Sequence, residues 1–97
     1  MAEIGITPLG ERVFTVRVRD GDEETTHQVT VPQRLAGGLE LGDDNLEPLV
    51  RESFRFLLKR ERASSILARF SLSDIARYFP DYPGEIGHWL SRRWERP

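Results

Sequence analysis

Histidine and cysteine, which often act as catalytic groups or metal ligands, are scarce in this chain, which has two histidines and no cysteine. The absence of thiols excludes cysteine nucleophiles, cysteine-ligated metals and disulfides. His27 falls on the apolar side of an alternating segment, where a lone histidine is more often a hydrogen-bonded or edge residue than a functional one. His88 has Gly84 and Arg92 four residues away on either side, so no second ligand shares its helical face. We therefore predict no metal site and no cofactor.

Hydrolytic and phosphate-binding motifs are also missing. A catalytic triad needs a serine or threonine, a histidine base and an orienting carboxylate, and these residue types are present without a Gly-x-Ser-x-Gly elbow. The pair Gly37-Gly38 is not followed by the Lys-Ser/Thr of a phosphate-binding loop. The acidic run over residues 20–24 lacks the spacing and closing glutamate of a calcium loop. The sequence predicts that the protein is not an enzyme.

One segment, 71–93, has the outline and apolar spacing of a DNA-binding helix-turn-helix. Three arginines could then contact phosphates: Arg92, Arg93 and Arg96. However, the second helix would begin Pro83-Gly84-Glu85, which offers no side chain suited to reading bases. Any two packed helices show similar apolar spacing. Plain helix packing is therefore the first interpretation of this segment, and nucleic-acid binding is the alternative.

Large apolar side chains suggest a protein interface instead. In the predicted helix over residues 45–61, apolar positions cover roughly 200° of the surface, about twice what one buried face needs. This helix either packs on both sides within the chain or meets a second chain. Near the C-terminus we expect two aromatic residues to be exposed beside arginines, the composition of an interface hot spot. The candidate interaction residues are Leu49, Phe56, Tyr82 and Trp94.

The elements that would position these residues begin with strands. Segments 12–19 and 25–31 alternate apolar and polar residues and are joined by a short Asp-Gly turn, which predicts an antiparallel β-hairpin over region 12–31. Residues 3–9 form a candidate third strand, weakened by Pro8. The glycine-containing segment 33–44 is predicted to be a loop.

The second half, 45–94, is predicted to be helical. The first helix begins at Asp44 or Asn45 and runs to about Glu61. A short helix over 66–70 is capped by Ser64 or Ser65. Two further helices are expected at the C-terminus. Ser71 caps one, with Asp74 completing a capping box, and the other begins at Pro83 and ends near Trp94.

Size and composition fit a single domain over residues 1–97. The chain is 38% hydrophobic and 31% charged, and no apolar run approaches the ~20 residues of a membrane span. We predict an α+β fold in which an antiparallel β-hairpin or a three-stranded sheet packs on one long helix and two or three short C-terminal helices.

Charge is unevenly distributed along the chain. Residues 1–48 carry a net charge of −6 and residues 49–97 one of +4, giving −2 overall. The two halves could neutralise each other, or the basic half could face an anionic partner. Of the 14 basic residues only Lys59 is a lysine, which indicates a GC-rich bacterial genome. The N-terminal residues resemble no signal peptide, so we expect a cytoplasmic protein.

Three stretches of the C-terminal half carry a recurring pattern: residues 49–61, 65–67 and 75–83, with the signature RESF-FLL-RE, SIL and I-RYFP-Y. This pattern resembles that of a group of short bacterial hypothetical proteins. The resemblance implies a self-contained bacterial family and no particular activity. We therefore expect a small non-catalytic interaction or regulatory domain. Its partner would be a protein or a second copy of the chain, with nucleic acid as the alternative and no membrane association.

Overall fold

The computed structural model describes residues 2–35, 39–42 and 46–94, with the side chains of all of these except residues 39, 93 and 94. The architecture is α+β, as predicted. The strands are β1 (Glu3–Pro8), β2 (Val13–Asp20), β3 (Glu23–Thr30), β4 (Arg34–Leu35), β5 (Leu39–Glu40) and β6 (Arg69–Ser71). The helices are α1 (Leu46–Leu58), α2 (Leu72–Tyr78) and α3 (Tyr82–Trp94), with a short 3₁₀ helix over Ala63–Ser65.

The main sheet contains the predicted hairpin and the predicted third strand. Its order is β1-β2-β3-β6, with the first three strands antiparallel. β2 and β3 are joined by a two-residue turn in which Gly21 has φ +67°, a conformation that suits glycine and the twist of a tight hairpin. Alternate side chains such as Val16, Val18 and Val29 are buried on one face. The opposite face carries polar residues and faces solvent, as is common for antiparallel sheets.

The predicted helix over residues 66–70 is wrong. The chain instead forms the 3₁₀ helix and then β6, which pairs in parallel with β3 in the register Val29↔Phe70. The Gln28 N–H donates to the Ala68 carbonyl at 2.7 Å, which continues the pairing just before β6. A short apolar run does not distinguish strand from helix by periodicity. Here β3 decides the conformation of residues 69–71, because its backbone N–H and C=O groups need hydrogen-bond partners on the side away from β2.

The predicted loop over residues 33–44 is partly structured. β4 and β5 pair antiparallel, with Arg34 opposite Glu40. Leu35 and Leu41 are buried in the core. Strands of two residues are too short to show alternation, so the sequence pattern could not indicate them. Gly37-Gly38 and the predicted cap residues Asp44 and Asn45 lie outside the described residues.

α1 is the central helix. Its buried residues lie on both sides, where it packs against β1 and α3, so the wide apolar arc is used within the chain. The helix ends at Leu58, three residues earlier than predicted. α2 has the predicted capping box: Ser71 Oγ accepts from the Ser73 N–H, and Asp74 Oδ2 accepts from the Ser71 N–H at 3.0 Å. α3 begins one residue before Pro83 and reaches Trp94, in close agreement with the prediction.

Candidate functional site

An apolar groove opens between the end of α1, the segment leading into β6, and α2. Its cavity volume is about 340 Å³. We call it the α2 groove, and it is lined by Leu57, Glu61, Ser65, Ile66, Leu67, Phe70, Asp74, Ile75, Tyr78 and Phe79. The floor is formed by buried side chains of the main core, including Leu57, Phe70 and Ile75.

The rim of the α2 groove carries exposed apolar side chains. Tyr78 is 70% exposed and Leu67 is 53% exposed. Among the described residues the other large hydrophobic side chain that is exposed is Leu9, at 60%, and it does not line the groove. Exposed apolar side chains gathered around an apolar cavity are typical of binding surfaces, whereas isolated ones are common everywhere.

His27 fixes the position of the rim residue Leu67. This histidine is buried on the inner face of β3, and its ring packs 5.4 Å from that of Phe54. Nδ1 lies 2.7 Å from the Leu67 carbonyl, which can only accept, so Nδ1 carries the proton and donates. In the neutral imidazole, Nε2 accepts from the Thr25 hydroxyl at 2.8 Å. Of the two expectations for His27, a hydrogen-bonded or an edge residue, the structure shows the first, and one partner is the backbone carbonyl of Leu67 in the groove.

The other side of the groove depends on the capping box of α2. Asp74 is both the third residue of the helix and a lining residue of the groove. Because its carboxylate accepts from the Ser71 N–H, the first turn of α2 is held at the end of β6. The following turn presents Ile75 to the floor and Tyr78 to the rim. The same few residues therefore stabilise the helix and shape the groove.

The charged side chains lining the groove are acidic. Glu61 and Asp74 both line it, and no lysine or arginine does so among the described residues. Arg77 is exposed on α2 and does not line the groove. The surface thus combines an apolar centre with two carboxylates.

Three of the four interaction residues predicted from the sequence are buried away from the groove. Leu49 and Phe56 are buried on α1, packed inside the chain. The expectation that Tyr82 is exposed is wrong, because it is fully buried with its ring 5.2 Å from that of Phe56. Leu49, Phe56 and Tyr82 therefore form core contacts and do not line the groove. The side chain of Trp94 lies outside the described residues.

The Tyr82 hydroxyl can be buried because Ser53 provides it with a hydrogen-bond partner. The Ser53 hydroxyl donates to the Leu49 carbonyl at 2.8 Å, so the Tyr82 hydroxyl donates to Ser53 Oγ at 2.7 Å. Burial raises the pKa of the Tyr82 phenol well above its ordinary value. The phenol is a structural group that joins α3 to α1.

The segment predicted as an alternative nucleic-acid site forms two helices, α2 and α3, separated by a short turn. Carboxylates lie at the start of α3, where base contacts would be expected: Asp81 accepts from Arg60 at 2.8 Å, and Glu85 lies 4.0 Å from the same guanidinium. Arg92 is exposed. The side chain of Arg93 and all of Arg96 lie outside the described residues. Acidic groups at this helix end repel phosphate, so the arrangement adds no support to nucleic-acid binding.

The described residues contain neither a cluster of metal-ligating side chains nor a membrane-spanning helix. Within residues 2–35, 39–42 and 46–94, no three histidine, aspartate or glutamate side chains come together as a metal site. No helix in that part of the chain is long and apolar enough to cross a membrane. Comparisons with protein-family models, curated proteins and solved structures found no match. The resemblance to a group of short bacterial proteins therefore stays a prediction.

Sequence reasoning missed the two rim residues of the α2 groove. Tyr78 belongs to a dense set of aromatic residues that composition alone assigns to the core. Its position on the helix is the signal that could have indicated its exposure, because Tyr78 lies at the edge of the apolar stripe defined by Ile75 and Phe79. Leu67 was assigned to a helix that does not form. Without the pairing of β6 with β3, its exposure could not be inferred.

Proposed function

We propose that this protein is a small non-catalytic protein-interaction domain whose docking site is the α2 groove. The observation that carries the proposal is the exposure of Leu67 and Tyr78 at the rim of an apolar cavity of about 340 Å³. Interface hot spots are enriched in tyrosine and lie over desolvated pockets. A protein partner that covers the rim removes both side chains from water and fills the groove.

The positioning of the groove supports this proposal over a role in packing alone. The hydrogen bond from His27 holds the Leu67 carbonyl in place while the Leu67 side chain stays exposed at the rim. The floor residues are fixed by aromatic contacts, such as that between Phe54 and Phe70 at 5.8 Å. A rigid floor lowers the entropy cost of binding because little must be ordered when a partner docks.

The test is site-specific photo-crosslinking in cells that produce the chain. A photoreactive benzoylphenylalanine is placed at position 78, and at position 9 in a matched control, since Leu9 is similarly exposed but lies away from the groove. We expect position 78 to yield a discrete polypeptide adduct that mass spectrometry can identify, and position 9 to yield none. The adduct should disappear when Leu67→Asp is added to the same chain.

Two results would contradict the proposal. One is the absence of any polypeptide adduct from position 78. The other is an adduct of equal yield from positions 78 and 9, because it would show that exposure alone produces the crosslink. Circular dichroism of each variant, compared with the wild type, checks that the fold is retained.

A further inference from the structure

We infer that Arg51 makes an autoinhibitory contact, which prevents the exposed edge of β1 from pairing with the β1 strand of a second copy of this chain. The contact is the hydrogen bond from its guanidinium to the Ile4 carbonyl at 2.6 Å. Neither residue lines the α2 groove, so the inference does not depend on the proposed function. It follows from which backbone groups of β1 face outward, and from how Arg51 and Pro8 restrict the pairing of these groups.

The outward-facing groups of β1 follow from its register with β2. β1 is the first strand of the main sheet, so one of its edges has no neighbouring strand. Along an antiparallel strand, the backbone groups of successive residues face the neighbouring strand and face away from it in turn. The Leu9 N–H donates to the Val13 carbonyl at 2.8 Å, which places the odd-numbered residues of β1 on the side of β2. The backbone groups of Ile4, Ile6 and Pro8 therefore face outward.

The outward-facing groups at Ile6 are open to pairing. Neither its N–H nor its carbonyl has a hydrogen-bond partner among the residues that the structure describes. Unpaired backbone groups at a sheet edge can pair with a strand of another chain, and native proteins commonly block such edges with charged side chains and proline. β1 has both of these features, Arg51 beside Ile4 and Pro8 at its end.

Arg51 occupies the outward-facing carbonyl of Ile4. Its side chain reaches across from α1, with one terminal nitrogen bonded to this carbonyl and the other 3.7 Å from Glu47 Oε2. A strand that pairs at Ile4 must break the bond from the guanidinium and replace it with one from a backbone N–H. The replacement is unfavourable, because hydrogen bonds from charged donors are stronger than those from neutral donors.

Pro8 restricts the pairing that would avoid this competition. In an antiparallel pair of two β1 strands, a register centred on Ile4 or on Gly5 directs an N–H of the other copy to the Ile4 carbonyl. A register centred on Ile6 instead places Ile4 opposite Pro8 of the other copy, and proline has no N–H to donate. That register leaves Arg51 in place but loses hydrogen bonds at both ends. Arg51 and Pro8 therefore close the edge together.

The first test compares Arg51→Ala with Arg55→Ala by sedimentation velocity of the purified full chain over a concentration series. The two arginines are one turn apart on α1 and each pairs with a glutamate of α1, but the hydrogen bond of Arg55 is to Glu52 and not to β1. We expect Arg51→Ala to associate beyond the 11.2 kDa monomer. Its association constant should exceed that of the wild type by roughly tenfold or more, the effect of losing one charge-assisted hydrogen bond. Arg55→Ala should match the wild type, and equal association of the two variants overturns the inference.

A second substitution distinguishes edge pairing from association through partial unfolding. Ile6→Pro removes an outward-facing N–H and leaves the hydrogen bonds between β1 and β2 in place, as Pro8 already does in the same strand. Adding it to Arg51→Ala should return the association constant to the wild-type value. Circular dichroism checks that each variant retains the fold. A double variant that is folded and associates as strongly as Arg51→Ala overturns the inference.

Amide hydrogen exchange tests the same geometry in the wild type, so the inference stays testable if Arg51→Ala does not fold. In dilute wild-type protein the Ile6 amide should exchange quickly, whereas the Gly5 amide, which faces Arg17 on β2, should exchange slowly. In Arg51→Ala the Ile6 amide should become protected as the protein concentration rises. Protection of this amide in the dilute wild type overturns the inference, because the edge would then already have a partner.

Discussion

At the scale of single residues, buried polar groups in this small domain occur with partners that fit them. His27, Ser53 and Tyr82 are buried, and each has a side-chain hydrogen bond to another part of the fold. A buried polar group without a partner costs about 1–3 kcal/mol. Each of these three groups has a hydrogen-bond partner. Because hydrogen bonds are directional, they define the packing more specifically than apolar contacts alone.

Tyr82 gives this argument a measurable consequence. Burial raises the pKa of its phenol in the folded state, so ionisation favours the unfolded chain, where the pKa is about 10. The stability contributed by this group is complete below pH 10 and is lost as the pH rises toward the folded-state pKa. We expect Tyr82→Phe to cost about 0.5–1.5 kcal/mol at pH 7, the net value of one hydrogen bond.

Above pH 10 the variant should lose stability less steeply than the wild type. Urea unfolding at pH 7 and at several values above 10 measures both effects. Parallel alkaline slopes for the two proteins would contradict the assignment.

At the scale of elements, local signals succeed where the conformation is decided locally. The β2–β3 hairpin follows from alternation and an Asp-Gly turn, and the start of α2 follows from Ser71 and Asp74. β6 could not be predicted in the same way, because its conformation depends on backbone groups of β3 about 40 residues earlier in the chain. The rim of the α2 groove depends on β6, so the candidate site was missed together with this strand.

The capping box offers the second prediction at this scale. Ser71→Ala removes the acceptor of the Ser73 N–H and should destabilise the protein by about 1 kcal/mol, within a range of roughly 0.5–2 kcal/mol. Ser64→Ala is the matched control, since Ser64 is exposed and outside α2, and it should stay within about 0.5 kcal/mol of the wild type. Urea unfolding measures both. Equal effects of the two substitutions would show that the cap does not stabilise α2.

At the scale of the whole molecule, arginines connect segments that are distant in sequence. Arg51 donates to the Ile4 carbonyl at 2.6 Å, joining α1 to the edge strand β1. Arg62 lies 3.8 Å from Glu23, linking the helical half to the hairpin. The many arginines suggested a basic face for an anionic partner, and in these cases the structure uses them internally. Their reach and fixed donor geometry suit contacts with backbone carbonyls.

Arg12 makes the most extensive of these connections and gives the last prediction. Its guanidinium donates to the carbonyls of Val31 and Pro32 at 2.9 Å each and to that of Leu41 at 2.8 Å, so it holds the end of the hairpin against the segment after β5. Lysine keeps the charge but cannot direct several donors at once. We therefore expect Arg12→Lys to lower the free energy of unfolding by about 1.5–3 kcal/mol, the value of a charge-assisted hydrogen bond. Arg17→Lys, on the exposed face of β2, is the control and should change it by less than about 0.5 kcal/mol. If urea midpoints of the two variants coincide, charge alone accounts for Arg12, and the convergence of these carbonyls on its guanidinium does not stabilise the fold.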